Sequence, residues 1–572
     1  MELKSESFIK YILLSFISAT FGVYSSIYFL RKYRFQKEFN KLKGLRDARI
    51  QQKKVNLREF ENYLNKNDHS IDVENITNKS FPELLQFLKV DQNSRNEVLI
   101  AYQKKAFNVN SKLNCVVDFI NVDKSEINFN GPLAGLPVSV KDNFRVKDYF
   151  SCAGCSYFLN KPSSSNSVLV DVIKQLGGVP FVRTTVPQSM MSFLSSNPID
   201  GITLNPIDTS KSPGGSSSGE AALIGGHGSI VGIGTDMGGS IRIPAAFCGI
   251  VGLKPTHGRL SKKGLLPLAK FSIINGVCGI LGRDVDAVTC LFEQITNSQF
   301  HRDLDPTVVP MDFNRKVFKS TTKLKIGYFI FDESYRCVPA IERAVSETVK
   351  RLEKSGHQII QWKPPITGER WLELFLRVLS CDRLKEIRSI CQYDKKDFTI
   401  RNLYKLFEMN YFQYLIKLFQ ATLDGNNESI IWLKATRGIS SGAKFMEALS
   451  EIKHIREIIL EDWQKCGIDM VVCPTSGFTA VPLKPVGSLT GMLSYENLWN
   501  LVDFPSGTVP VSKVTQEDVT NLFKKYPKEL STWHFNTFTA QKDSLNMPVS
   551  VQCVSKPWHE EICLRVMKEL EQ

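Results

Sequence analysis

At 572 residues, with 42% hydrophobic and 23% charged side chains, the chain can bury a large core, which excludes disorder as its resting state. Its thirteen cysteines are odd in number and scattered, which excludes the dense, even framework of a secreted disulfide scaffold and fits reduced thiols in a cytosolic compartment. The net charge of +14 does not point to a nucleic-acid partner, because much of it sits in one block: residues 31–54 carry ten basic side chains against Glu38 and Asp47.

In chain order, the first predicted element is YILLSFISATFGVYSSIYFL at residues 11–30. Its twenty residues carry no charge and have the length that crosses a hydrocarbon core as one helix. A membrane span fits better than a secretory signal peptide, because the apolar run is long, its aromatics sit near both ends, and the cationic block follows it. The positive-inside bias then places everything after Arg31 in the cytosol, on the endoplasmic reticulum or another endomembrane. The block at 31–54 reads as a solvated helical face with attraction for anionic headgroups. Residues 31–94 form a basic, mostly helical linker, polar and without a catalytic cluster.

From about residue 131 the texture becomes that of an α/β domain, with short β-branched runs alternating with helical periodicity and glycine-rich turns. LPVSVKD is a strand ending in charge. SVLVDVIKQLGG places Val168, Leu169, Val172, Ile173 and Leu176 on one helical face closed by glycine, and GVPFVRTT reads as the next strand. KIGYFIF, MVVCPTS and MPVSVQCVS are later buried-strand candidates. Between them, residues 403–421 are too apolar and aromatic for an ordinary surface helix, so this segment is either core or a face that meets lipid. Cys152 and Cys155 have redox or half-zinc spacing, but no second pair lies near and no His-x-x-x-His follows. No metal or cofactor is predicted.

Two serine clusters compete for chemistry. GSSSG at 215–219 fits a nucleophile elbow with Ser217 attacking, yet the segment before it is turn-rich rather than a strand. With Glu220 three positions on, Ser217 also fits a capping box at the start of a helix. GISSG at 438–442 lacks a strand too and reads as chance. The eight histidines lie in no motif that marks a base; His227 and His257 read as loop residues. A lysine can serve instead when burial leaves its amine neutral. In GTDMGGSIR, two glycines precede Ser240, and the N–H groups of Met237, Gly238, Gly239 and Ser240 could converge on one oxygen, as an oxyanion hole requires. The run lacks the ending of a phosphate-binding P-loop.

The whole stretch SPGGSSSGEAALIGGHGSIVGIGTDMGGSIRIPAAFCGIVGLKPTHGRLS resembles the signature of the amidase signature family. The resemblance covers roughly residues 95–572 as one catalytic domain. VPQSMMSFLSSNP, YENLWNLVDFPSGTVPVSKVT and the C-terminal LNMPVSVQCVSKPWHEEICLRVMKELE extend it toward the membrane-anchored animal branch that hydrolyses fatty acid amides. It implies an α/β amidase signature fold, with a central twisted mixed β-sheet covered by helices and one transmembrane helix before it. It also implies a Ser-Ser-Lys triad of Lys141, the bridging Ser216 and the nucleophile Ser240. Met190, Met237, Gly238 and Gly239 would join Ser216 and Ser240 in contacting substrate. Long-chain amides, membrane lipids and a homodimeric partner follow from the same resemblance, although no coiled-coil heptad marks an interface. Ser218 stands where the pattern often has glycine, and residues 360–460 match less well. The competing readings are an amidase of small polar amides, the amidase component of an amidotransferase, and a non-catalytic membrane scaffold.

Overall fold

The computed structural model describes residues 2–66, 71–266, 268, 274, 276–423, 426–485 and 487–571; for residues 2–15, 17, 19, 22 and 492 it describes the backbone alone. Thirteen strands are described: β1 Val116–Phe119, β2 Pro137–Lys141, β3 Val179–Thr184, β4 Ser196–Asn197, β5 Gly201–Ile202, β6 Val231–Asp236, β7 Val251–Lys254, β8 Val277–Gly282, β9 Lys325–Tyr328, β10 Gln358–Gln361, β11 Met470–Pro474, β12 Ser506–Lys513 and β13 Pro548–Ser555. Strands β4 and β5 form a separate pair, and the other eleven make one sheet in the order β1-β3-β2-β6-β8-β7-β12-β13-β11-β9-β10. Pairing is parallel for β3–β2–β6 and β11–β9–β10 and antiparallel elsewhere. The mixed sheet expected from sequence is present. Strands predicted at LPVSVKD, GVPFVRTT, KIGYFIF, MVVCPTS and MPVSVQCVS are β2, β3, β9, β11 and β13.

Strand β2 explains where the chemistry sits. Every residue of PVSVK is buried, because β3 and β6 flank it and helices cover such a parallel stretch on both faces. One covering helix is Val168–Gln175, whose apolar residues all face inward as its periodicity predicts. Another is Ser218–Gly225, buried over nearly its whole length. At the close approach between that helix and the sheet, Gly232 of β6 admits no side chain: a Cβ would lie 2.0 Å from Glu220 Oε2 and 2.2 Å from Ser139 Oγ. Lys141 and Asp236 are the last residues of the parallel neighbours β2 and β6. Met237 and Gly238, which follow β6, line a cavity beyond its carboxyl end, where α/β sheets place ligands.

The amino-terminal part departs from two expectations. Residues Glu2–Lys66 form one helix of 65 residues, roughly 100 Å long at 1.5 Å per residue. Its basic stretch is not a solvated face throughout. Arg46 pairs with Asp394 at 3.1 Å, Arg49 with Asp118 at 2.6 Å and Lys53 with Asp200 at 2.9 Å. These cations are mostly buried and clamp the helix to the catalytic body, so they are not free for headgroups. Among the described residues no helix is long and apolar enough to cross a membrane. Most side chains in the first half of the expected span at 11–30 lie outside the described residues.

The apolar segment at 403–421 is two helices rather than one, Phe398–Glu408 and Tyr411–Leu423, parted at Met409 and Asn410. In the first, Ile400, Tyr404 and Phe407 are buried, with Phe407 only 1% exposed. In the second, Tyr411, Phe412 and Phe419 are 60%, 71% and 66% exposed. The segment divides: the first helix is core, as one of the two readings expected, and the second bears an exposed apolar face.

Candidate active site

Lys141 leaves the end of β2 into a fully buried polar nest. Its Nζ lies 2.9 Å from Ser216 Oγ, 2.9 Å from Thr235 Oγ1 and 3.2 Å from Thr235 O. Burial pulls its pKa down from 10.5 to about 7, against the opposing pull of Asp236 and Glu220. An amine so placed is neutral in a large fraction of molecules near neutral pH. Glu220 lies behind it and accepts hydrogen bonds from Ser139 Oγ and Thr184 Oγ1, both at 2.6 Å; burial raises its pKa to about 7.

The glutamate engaged in those bonds does not form the expected capping box. Ser217 occupies the N-cap position of helix Ser218–Gly225 without a side-chain capping bond, and its Oγ makes only a 3.5 Å contact with Thr235 O. Its backbone N–H instead donates to Ser240 O at 3.1 Å, tying the two serine clusters together. The Gly215–Ser216 peptide is cis. Ser240 Oγ has no hydrogen bond to Ser216 among the described residues.

The loop between β6 and Ser240 is held from below by Asp236. Its carboxylate accepts from Gly239 N at 2.8 Å, Ile241 N at 3.0 Å, Arg242 Nη2 at 3.1 Å and Asn500 Nδ2 at 2.8 Å. These partners, the Arg242 guanidinium above all, overcome the desolvation of a fully buried carboxyl and hold it well below its usual pKa. Gly239, at φ +106°, adopts a backbone that favours glycine, and a Cβ there would meet Ile243 at 2.6 Å. This arrangement corrects one expectation: the Gly239 N–H is taken by Asp236. The N–H groups of Met237, Gly238 and Ser240 have no acceptor among the described residues.

A cavity of about 1090 Å³ opens at this loop, lined there by Met190, Gly215, Met237, Gly238 and Ser240. Apolar groups continue it, among them Phe375, Leu379, Leu403, Phe407 and Leu433. It reaches Lys417, Gln420 and Ala421 of helix Tyr411–Leu423. One continuous space thus runs from Ser240 to the exposed apolar helix.

The family model for amidases matches residues 97–564, most of the chain. The chain belongs to the amidase signature family. It is a hydrolase of an enzyme family that acts on amides. It is 37% identical over 517 residues to fatty-acid amide hydrolase 1 of Sus scrofa, covering 88% of this chain and 86% of that protein. Fatty acid amide hydrolase 1 of Caenorhabditis elegans is 33% identical over 488 residues, covering 83% and 84%. Among solved structures, a fatty acid amide hydrolase superposes with TM-score 0.73 at 25% identity over 94% of each chain. One subunit of the glutamyl-tRNA(Gln) amidotransferase of Thermotoga maritima shares the fold, with TM-score 0.62 at 19% identity over 86% of this chain and 93% of that one.

Of the residues singled out in this amidase by its sequence, Lys141 and Ser216 are in direct contact, while Met190, Met237, Gly238 and Ser240 share one cavity wall with Gly215. Gly239 is buried and does not line that wall. His227 and His257 lie outside that lining. In the second Gly-x-Ser-x-Gly match, Ser441 caps helix Gly442–Cys466, its Oγ accepting from Lys444 N. The sequence reading missed Thr235, Asp236 and Arg242. Asp236 and Arg242 stand six residues apart around the glycine pair, a charge pairing visible in DMGGSIR. The cavity residues between 375 and 433 carried no motif at all.

Proposed function

We propose that this amidase is a membrane-anchored serine hydrolase of fatty acid amides, releasing free fatty acid and amine from N-acylethanolamines and primary fatty amides. The observation that carries the reading is the cavity: largely apolar, leading from Ser240 to an uncovered apolar helix, it suits a long acyl chain arriving from a lipid surface. The similarity to two fatty acid amide hydrolases supports it. The charge-free run at 11–30 would anchor the chain, with the catalytic domain in the cytosol and a homodimer as the working unit.

The geometry supports a relay for an amide, whose nitrogen leaves only when protonated. Neutral Lys141 accepts the Ser216 proton as Ser216 accepts that of Ser240. The freed oxygen attacks the carbonyl carbon, and the N–H groups of Met237, Gly238 and Ser240 hold the oxyanion. Return of the proton from Lys141 through Ser216 to the nitrogen breaks the C–N bond, leaving an ester on Ser240. Water, deprotonated through the same relay, then releases the acid. The relay requires a hydrogen bond between Ser216 and Ser240 in the substrate complex, where catalytic hydrogen bonds commonly tighten.

Detergent-solubilised enzyme should hydrolyse a long-chain acyl ethanolamide with much higher kcat/KM than acetamide. Preference for the short amide would assign the protein to small-amide amidases, and no turnover of either would sustain the scaffold reading.

A further inference from the structure

Among the polar residues that line the cavity, one beside the loop of Ser240 has an unpaired side chain, whereas the Ser192 hydroxyl already accepts from Leu194 N. Asn497, in helix Ser494–Leu501, is 3% exposed and lines the cavity. Its carboxamide hydrogen-bonds to no described residue. Its Oδ1 and the Phe375 ring close over the glycine two positions before Ser240: a Cβ on Gly238 would stand 3.1 Å from Asn497 Oδ1 and 2.8 Å from Phe375 Cζ. The helix that carries it is firmly placed. Arg242 donates to Glu496 O at 3.1 Å and to Asn500 Oδ1 at 2.5 Å, and Asn500 donates to Asp236, so one network fixes both the helix and the loop.

A carboxamide offers both a donor and an acceptor. When an apolar ligand displaces the water that would satisfy it, the loss is that of an unpaired buried polar group; a ligand hydroxyl at that point restores the bond. We infer that Asn497 is a specificity-determining residue, whose carboxamide hydrogen-bonds a hydroxyl of the substrate close to the scissile carbonyl. The cavity therefore prefers hydroxylated acyl amides to wholly apolar ones of the same shape. The hydroxyl can be supplied from the amine side, as in a 2-hydroxyethyl amide, or from the acyl side, as in a 3-hydroxyacyl amide. This rests on the fatty-amide reading only for the length of the acyl chain.

The test uses two pairs of substrates with the full-length enzyme: an N-(2-hydroxyethyl) amide against its N-propyl analogue, and a 3-hydroxyacyl N-propyl amide against its unsubstituted analogue. The wild type should favour the hydroxylated member of one pair by about tenfold in kcat/KM, which also tells the amine side from the acyl side. In Asn497→Leu that ratio should collapse toward one. Ratios near one for both pairs in the wild type, which need no variant, overturn the inference, as does a preference that survives in Asn497→Leu or an equal loss on all four substrates. If the wild type turns over none of these long-chain amides, the fatty-amide reading fails. The same pairs on a short acyl chain then decide the role of Asn497 by the same criteria.

Discussion

The nest around Lys141 and the pair of helices at 398–423 are opposite solutions to placing unusual residues. In the nest, Asp236 and Glu220 are buried and partnered: Asp236 is held by Arg242 and Asn500, and Glu220 by Ser139 and Thr184. At the helix pair, apolar groups are exposed, with Phe412 71% accessible and no described element covering it. Buried charge without partners and exposed apolar surface without purpose are both costly. The first region meets its cost within the chain. The second calls for a cover from outside the chain, and the cavity that joins the two regions supports the proposal that this cover is a lipid surface.

Breaking the nest should have the largest effects. Ser240→Ala should abolish acylation and lower hydrolysis by more than about 10³-fold, measured by covalent labelling and turnover. Retained labelling would return the nucleophile to another serine. Arg242→Ala leaves Asp236 buried without its main counter-charge and should cost about 3–5 kcal/mol of stability, read as a fall in the denaturation midpoint. An unchanged midpoint would mean that Asn500 and the backbone suffice.

Lys141→Ala should lower amide hydrolysis by roughly 10²–10⁴-fold and ester hydrolysis by less, since an alkoxide leaves more readily than an amide nitrogen. Its sign with pH is fixed by the direction of the shift. The base must be neutral, and burial lowers its pKa to about 7. Activity should therefore rise with pH through about 7 in the wild type, and this limb should vanish in the variant. A limb that persists belongs to Glu220 or to another group.

These contrasts also explain what the sequence could reveal. Lys141, Ser216 and Ser240 were named through the resemblance to the amidase signature family, whose ordered run of small residues leaves few alternatives: one more side chain at Gly232 or Gly239 would collide with its neighbours. The strand at PVSVK and the helix at 168–175 followed from period and burial alone. The capping role of Ser217 failed because Glu220 has a stronger pull from Ser139 and Thr184, on strands far off in sequence. Residues 403–421 read as uniformly apolar, and the break at Met409, which turns one half inward and the other outward, depends on packing against the body. The basic run at 31–54 showed its charge and concealed its partners, since Asp118, Asp200 and Asp394 are brought to it by tertiary structure.

The second region is sharpened by choosing residues from its outer face. Tyr411, Phe412, Leu415 and Phe419 changed together to serine should weaken binding to lipid vesicles and raise KM for long-chain amides about tenfold, an apolar area effect, while leaving short amides nearly untouched. Equal effects on both would make the helix a structural cover. Phe407 is unsuitable for this purpose, being core. The smallest effect is expected at Ser217→Ala, about 0.5 kcal/mol, because its hydroxyl makes a single long contact. A loss of several kcal/mol would show that the hydroxyl carries a structural bond after all.

One covalent species decides which serine attacks. Rapid acid quenching of the enzyme with a long-chain acyl ethanolamide, followed by mass analysis of its peptides, should find the fatty acyl group on Ser240, and none in Ser240→Ala. An acyl group on Ser216 or Ser217, or turnover with no acyl peptide while Ser240→Ala remains active, would contradict it.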